Sequence, residues 1–236
     1  MSLVNAICAG ALLWVPIGYV LGVDRVLEQW NERSGDRTAV RLDVRVSEAV
    51  DGTPARLQID VHPELGMRVE DLEGGGRWVV LHDELVASNR PDRPRWIPQL
   101  EMLVLRDRAA LSVWLGLVGV DVQQNELGRC GLDDCFVIGG RSRTPQLWLD
   151  KETFEPRRFV SPRTGVSELA VYREFGRARF PREMRVFDGE RRVADLSLFE
   201  LRPAPPLSAE DFSASWTAAG LPLLQPPPPE QGRRTP

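Results

Sequence analysis

From Ala39 the chain alternates: Val40, Leu42, Val44 and Val46 stand between Arg41, Asp43, Arg45 and Ser47. A period of two sends successive side chains to opposite faces, so this stretch reads as a half-buried strand. Asp51-Gly52-Thr53-Pro54 is turn chemistry, and Leu57, Ile59 and Val61 then alternate again. Met67 and Val69 follow, then a turn at Gly74-Gly75-Gly76, then Trp78-Val79-Val80-Leu81. Strands joined by turns this short pair antiparallel, because parallel pairing needs a long crossover. The run predicts an antiparallel meander.

A second set of strands is legible further on. Cys135 to Ile138 and Gln146 to Leu149 read as strands. After the turn Asp150-Lys151-Glu152-Thr153, Arg157 to Val160 completes a hairpin. Val166 to Phe175, Pro181 to Phe187 and Val193 to Leu201 follow, the last two joined by Asp188-Gly189-Glu190. Helical spacing appears at two places. Val23, Val26, Leu27 and Trp30 predict a short amphipathic helix over 23–33, stopped near Ser34-Gly35. Between Gln99 and Val120, Leu100, Leu103, Val104, Leu111, Trp114, Leu115 and Val118 fit one broad stripe, which predicts one or two helices weakened at the end by Gly116 and Gly119. That segment is read either as a structural cover on the sheet or as a lid over a cavity. Ser208 with Asp211 predicts a capped helical turn.

The chain divides into an apolar leader (1–22), a folded body (23–213) and a proline-rich tail (214–236). Pro222 and the run Pro226 to Pro229 make 221–236 disordered or extended polyproline in this reading. Residues 3–23 carry no charge and end in Val20-Leu21-Gly22, which suits a signal peptide, although the positive n-region is missing and Asn5, Pro16 and the glycines weaken a permanent span. A cleaved signal, an uncleaved anchor and a buried helix all remain open from the residues.

A net charge of −4 argues against a dedicated nucleic-acid binder. Lys151 is the only lysine among 30 basic residues, which reads as codon bias or as a functional arginine surface. Cys130 and Cys135 flank Gly131-Leu132-Asp133-Asp134, a spacing that suits a disulfide-closed loop in an oxidising compartment. Redox catalysis fits poorly, since no βαβ pattern surrounds the pair, and the two histidines, His62 and His82, each stand alone in strand-like context. His82-Asp83-Glu84 reads as a surface strand end rather than a ligand cluster. No phosphate loop, dinucleotide fingerprint, zinc-protease helix or nucleophile elbow is present in the sequence. No cofactor, metal or catalytic residue is assigned.

The order of leader, helix, meander, helical insertion and second meander resembles the LolA-like lipoprotein carrier superfamily. Three passages carry the likeness: His62-Pro63-Glu64-Leu65-Gly66-Met67-Arg68-Val69-Glu70, Gly75-Gly76-Arg77-Trp78-Val79, and Leu147-Trp148-Leu149-Asp150 through Pro156-Arg157-Arg158-Phe159 with Phe180-Pro181. His62 stands where carriers place a basic residue, and Met67 where they place an aromatic one. The resemblance implies an α+β, mainly antiparallel fold: an incomplete β-barrel covered by helices, with an apolar cavity inside. Trp78, Trp96, Trp114 and Trp148 would line or gate that cavity, with Leu111, Leu115 and Val118 inward from the cover; a plain core would use the same residues. His62, Pro63 and Arg68 are the family-motif positions.

The function expected is non-enzymatic binding, in the periplasm, of lipid or lipoprotein acyl chains. Membrane association would be transient or through an uncleaved N-terminal segment. The alternative is an envelope sensor or scaffold that binds a protein partner on the same fold, and a third is an envelope hydrolase.

Overall fold

The computed structural model describes residues 20–35, 38–49, 55–90, 96–105, 107–142 and 144–219. The leader up to Tyr19 and the tail from 220 lie outside these described residues, as does whatever was expected of them. The first helix, α1, is Val23–Arg33. The first meander comprises β1 (Val40–Ala49), β2 (Ala55–His62), β3 (Gly66–Asp71), β4 (Arg77–Leu81) and β5 (Glu84–Ser88). A 3-10 turn, Glu101–Val104, and helix α2, Arg108–Leu117, follow. The second meander is β6 (Asn125–Cys130), β7 (Asp133–Ile138), β8 (Gln146–Asp150), β9 (Pro156–Ser161), β10 (Gly165–Phe175), β11 (Ala178–Asp188) and β12 (Arg191–Pro203). The described chain closes with a 3-10 turn, Ala209–Phe212, and helix α3, Ala214–Ala218.

These strands form one twelve-stranded sheet in the order β5-β4-β3-β2-β1-β12-β11-β10-β9-β8-β7-β6. Every pairing is antiparallel, and the two meanders join where β1 pairs with β12, from Val40↔Pro203 to Ala49↔Ala194. The sheet curls without closing, so β5 and β6 are its free edges and also consecutive in the chain. A chain that finishes one edge and must begin the other has to cross the open side. The described residues 96–105 and 107–124 lie on that crossing, which is why the helical insertion covers the concave face.

The concave face is the core. Leu42, Val44 and Val46, Leu57, Ile59 and Val61, Phe136 and Ile138, Leu147 and Leu149, and Leu196 and Leu198 are all buried on it. Val26, Leu27 and Trp30 of α1, with Ile97, Leu100, Leu111, Trp114 and Leu115 of the crossing, fill it from the other side. Each such side chain contributes roughly 1.5–3 kcal/mol on burial.

Two strands were not legible in advance. Asn125–Cys130 carries asparagine, glutamate and glycine, which are poor strand formers; its pairing with β7, Asn125↔Ile138 to Cys130↔Asp133, imposes the strand. Glu84–Ser88 exists because His82 and Asp83 form a two-residue turn, both with positive φ (49° and 64°), the geometry of a tight hairpin. The crossing is broken more sharply than its stripe suggests. Leu105 is extended (ψ 129°), and α2 restarts at Asp107, whose side chain accepts from the Ala110 N–H at 2.7 Å. Its end is a paired glycine cap: Gly119, at φ +88°, donates to Gly116 O, and Val120 donates to Leu115 O.

Other expectations are met. Cys130 and Cys135 are disulfide-bonded, with Cα atoms 6.0 Å apart across the β6–β7 turn. Ser208 and Asp211 form a reciprocal capping box. Ala214–Ala218, assigned above to the tail, is helical and lies against β4 and β5.

His82-Asp83-Glu84 is the clearest correction. Asp83 is buried rather than a solvated strand end. Its carboxylate accepts from the Ser161 hydroxyl and, at 3.2 Å, from Thr164 Oγ1. Ser161 Oγ in turn accepts from the Arg163 and Thr164 N–H groups at 2.9 and 3.2 Å. The β4–β5 turn is thereby tied to the β9–β10 turn across one end of the open barrel. Replacing Asp83 with Ala should lower unfolding stability by about 1–3 kcal/mol for each hydroxyl left without an acceptor. Urea unfolding of the variant measures it, and a loss under a few tenths of that range would show that the tie carries no weight.

Candidate functional site

The crossing segment is held from beneath by a buried acid. Glu101 is 2% exposed, and its Oε2 accepts from the Trp114 indole N–H at 2.7 Å. Both its carboxylate oxygens also accept from the His82 backbone N–H, at 3.1 and 3.0 Å. Gly66 makes room: a Cβ there would come 2.4 Å from Val80 O and 3.1 Å from Glu101 Oε1, and its φ is +90°. Trp114 itself packs on Phe159 with ring centres 5.6 Å apart.

The expected cavity residues therefore separate. Leu111, Trp114 and Leu115 point into the core, and Val118 is half-buried against it. Trp78 is buried and meets Trp96 edge-on at 5.8 Å. Trp148 departs from the set. It alternates with the core residues Leu147 and Leu149, so it stands on the convex face, where its indole N–H donates to Gln146 Oε1 at 2.9 Å. It lines no cavity under the cover.

A pocket of about 260 Å³ opens at the end of the barrel away from the Asp83 tie. Trp30, Leu103, Pro156 and Tyr172 give it an apolar floor, with Arg33 and Arg179 among the residues at its rim. Tyr172 donates to Pro156 O at 2.6 Å, and burial, with Glu155 nearby, pushes its phenol well above the ordinary range, so it stays a neutral donor. Arg33 donates to Glu152 O and lies 4.7 Å from the Phe154 ring, which stacks on Phe136 at 5.6 Å. Arg179 is ion-paired with Glu155. Sequence reasoning placed Trp30 on a helical stripe without assigning it a site. Nothing in the spacing brought Leu103, Pro156 and Tyr172 to it, since they come from separate elements.

His62, Pro63 and Arg68, on which the sequence resemblance rests, are on the convex face of the first meander. His62 Nδ1 accepts from the Glu64 and Leu65 N–H groups at 3.1 and 3.2 Å, capping the turn that contains Pro63. Arg68 bonds Asp60 at 2.7 Å and Asp211 at 3.1 Å. The Trp216 ring lies 4.9 Å from both the Arg68 and the Arg77 guanidinium, and Arg77 also donates to Trp216 O at 3.0 Å. This motif fastens the C-terminal segment to the sheet rather than lining the concave side.

Among the described residues no helix is long and apolar enough to cross a membrane, and no group of three or more side chains could hold a metal ion.

No family model matches the sequence, and no curated protein matches it. Solved structures with a similar outline include a LolA superfamily protein from Nitrosomonas europaea, 14% identical with a TM-score of 0.49, covering 84% of this chain and 100% of that one. A structure described as an outer membrane lipoprotein-sorting protein domain, from Vibrio parahaemolyticus, is 12% identical at a TM-score of 0.47, covering 83% and 97%. A DUF1329 family protein from Desulfovibrio piger is 10% identical at 0.40, also covering 83% and 97%.

Two outcomes follow from the geometry. Trp114→Phe keeps an aromatic side chain, though a smaller one, and leaves Glu101 without the indole donor; it should cost about 1–3 kcal/mol in denaturant unfolding from the lost donor. Trp114→Ala should cost about 3–5 kcal/mol, as expected of a core side chain; a smaller loss with altered ligand binding would restore the lid reading. The second outcome concerns pH. The Ser208 N–H first, then the Ser208 hydroxyl and Arg68, hold the Asp211 carboxyl below its ordinary 3.8, against the opposing effect of burial. A depressed pKa stabilises the fold above the unfolded value and loses that contribution as pH falls through the folded one. Acidification below about 3.8 should therefore release the C-terminal segment to protease, by a modest amount because Asp211 is 36% exposed. Asp211→Asn should flatten that acid dependence, and an unchanged profile would refute it.

Proposed function

We propose that this chain is a non-enzymatic binding protein of the bacterial envelope that takes an acyl chain of a lipid or lipoprotein at the open end of its barrel. One observation carries the reading: an apolar floor of Trp30, Leu103, Pro156 and Tyr172 under a rim that bears charge. Such a site buries a hydrocarbon and keeps a polar head in water. The pocket, near 260 Å³, falls just below the span of ligand sites, which run from about 300 to 1,000 Å³. It accommodates part of one chain, and a longer one requires Trp30 to swing out with α1. Location outside the cytoplasm is supported by the uncharged leader and by the Cys130–Cys135 bond. Carriage or sorting of lipoproteins is the form of this activity that the sequence resemblance implies.

A second reading has its own support. Leu111, Trp114 and Leu115 are pinned rather than poised to move, which favours a sensor or scaffold that meets a protein partner.

Organic extraction of protein purified from envelope fractions, followed by mass spectrometry, should yield acyl chains. Thr153 is exposed and lines the pocket, so Thr153→Trp should occlude it without disturbing the core. Binding of a fluorescent fatty-acyl probe should fall about tenfold or more, equivalent to losing roughly two buried methylenes, with melting temperature unchanged. Undiminished probe binding would move the ligand elsewhere, and neither acyl chains nor probe binding would leave the scaffold reading.

A further inference from the structure

The strongest unassigned feature is on the convex face, beside the disulfide hairpin. A hollow of about 320 Å³ is lined by Arg129, Arg157, Arg158 and Arg185, with Glu168 as its one carboxylate and Cys130–Gly131 along one side. Three of these residues stand in a row across neighbouring strands: Arg158 opposite Glu168, and Glu168 opposite Arg185. Trp148 extends the row, since it pairs with Arg158.

The arginines are not equivalent. Arg129 is bound to Asp134 at 3.2 Å, and Arg157 to Asp133 at 3.1 Å. Among the described residues no carboxylate lies within ion-pair distance of Arg158 or Arg185, Glu168 included. Arg158 lies over the Trp148 ring at 5.6 Å, and its Nε is buried with no acceptor. Trp148 is seated in turn on Gly128, where a Cβ would come 2.7 Å from the ring, so the support runs from strand backbone to ring to guanidinium. That buried N–H is out of reach from the hollow; what an oxyanion there would meet is the guanidinium charge of Arg158 and Arg185, which no carboxylate offsets.

We propose that this hollow binds a phosphate group. A space of this size exceeds one carboxylate, whereas a phosphate offers several oxygens to guanidinium forks approaching from different strands. Arg158 and Arg185 are the principal donors. Glu168 sets an upper limit on affinity, because it repels the same anion. The group can arrive on a soluble phosphate ester or on a lipid head. The lipid source has a geometric argument: Leu132, at the tip of the disulfide-closed turn, is 92% exposed and directly follows Gly131 of the hollow's lining. Asp133 and Asp134 follow it in sequence, each engaged with an arginine.

The test uses the full chain and two probes. Inorganic pyrophosphate is titrated calorimetrically, and vesicles of phosphatidylglycerol in phosphatidylcholine are used in a flotation assay. Because residues 3–23 are apolar and could bind vesicles themselves, the readout is the difference between the native chain and the Arg158→Gln, Arg185→Gln double variant. That variant should weaken binding about tenfold or more, the loss of a charge-assisted contact, and Glu168→Gln should strengthen it. Pyrophosphate binding with this pattern supports a soluble source. Binding to vesicles alone, reduced further by Leu132→Ser, supports a lipid head group. If neither probe binds, or if the double variant binds as well as the native chain, the proposal is overturned. Should Arg158→Gln prevent folding, the exposed Arg185→Gln alone decides, with Glu168→Gln required to act in the opposite direction.

Discussion

The ladder between β1 and β12 governs the rest of the molecule. It joins a strand near the start of the described chain to one near its end, and by doing so sets two meanders edge to edge. Once that pair is made, the free edges fall at β5 and β6, and the only chain available to span them is the segment between. A barrel closed through β5 and β6 would need no cover. An open one exposes its concave apolar face unless helices lie on it, and α1 and the crossing are placed where that face would otherwise meet water.

The polar groups under the cover fix its position more tightly than apolar contact alone would. Glu101 ties Trp114 of α2 to the β4–β5 turn, and Asp83 of the same turn reaches the β9–β10 turn. One hairpin thus holds both the cover and the far wall of the barrel. Buried carboxylates are tolerated there because each accepts directed hydrogen bonds, and their loss is penalised more than the loss of an equal apolar area. Mobility is consequently expected at the other end, where α1 borders the pocket.

Much of the fold is readable because alternation is strong. Val40 to Val46 and Leu57 to Val61 announce their strands and their inward face without help from tertiary context. β6 is silent, since Asn125, Glu126 and Gly128 acquire strand geometry only from β7 and from Trp148 above them. The site is harder. Residue type groups Trp148 with the cavity tryptophans, while its parity with Leu147 and Leu149 places it on the other face. Arg68 carried a resemblance but not its reason, which depends on Asp211 and Trp216, more than 140 positions away. The pocket residues converge from five separate stretches, and no local pattern encodes such a meeting.

The same first-to-last pairing bears on how the chain reaches this state. The strand Val40–Ala49 acquires its second neighbour only when residues near 200 are available. Contacts of such sequence separation close slowly, because the loop entropy is lost before the pairing repays it. A chain that emerges N-terminus first can zip β1 to β5 early, yet β1 keeps a bare edge, a template for unwanted association, until the final hairpin arrives. Folding of this protein is therefore a late, concerted event set by its last strand, and the half-made meander is the species most in need of protection.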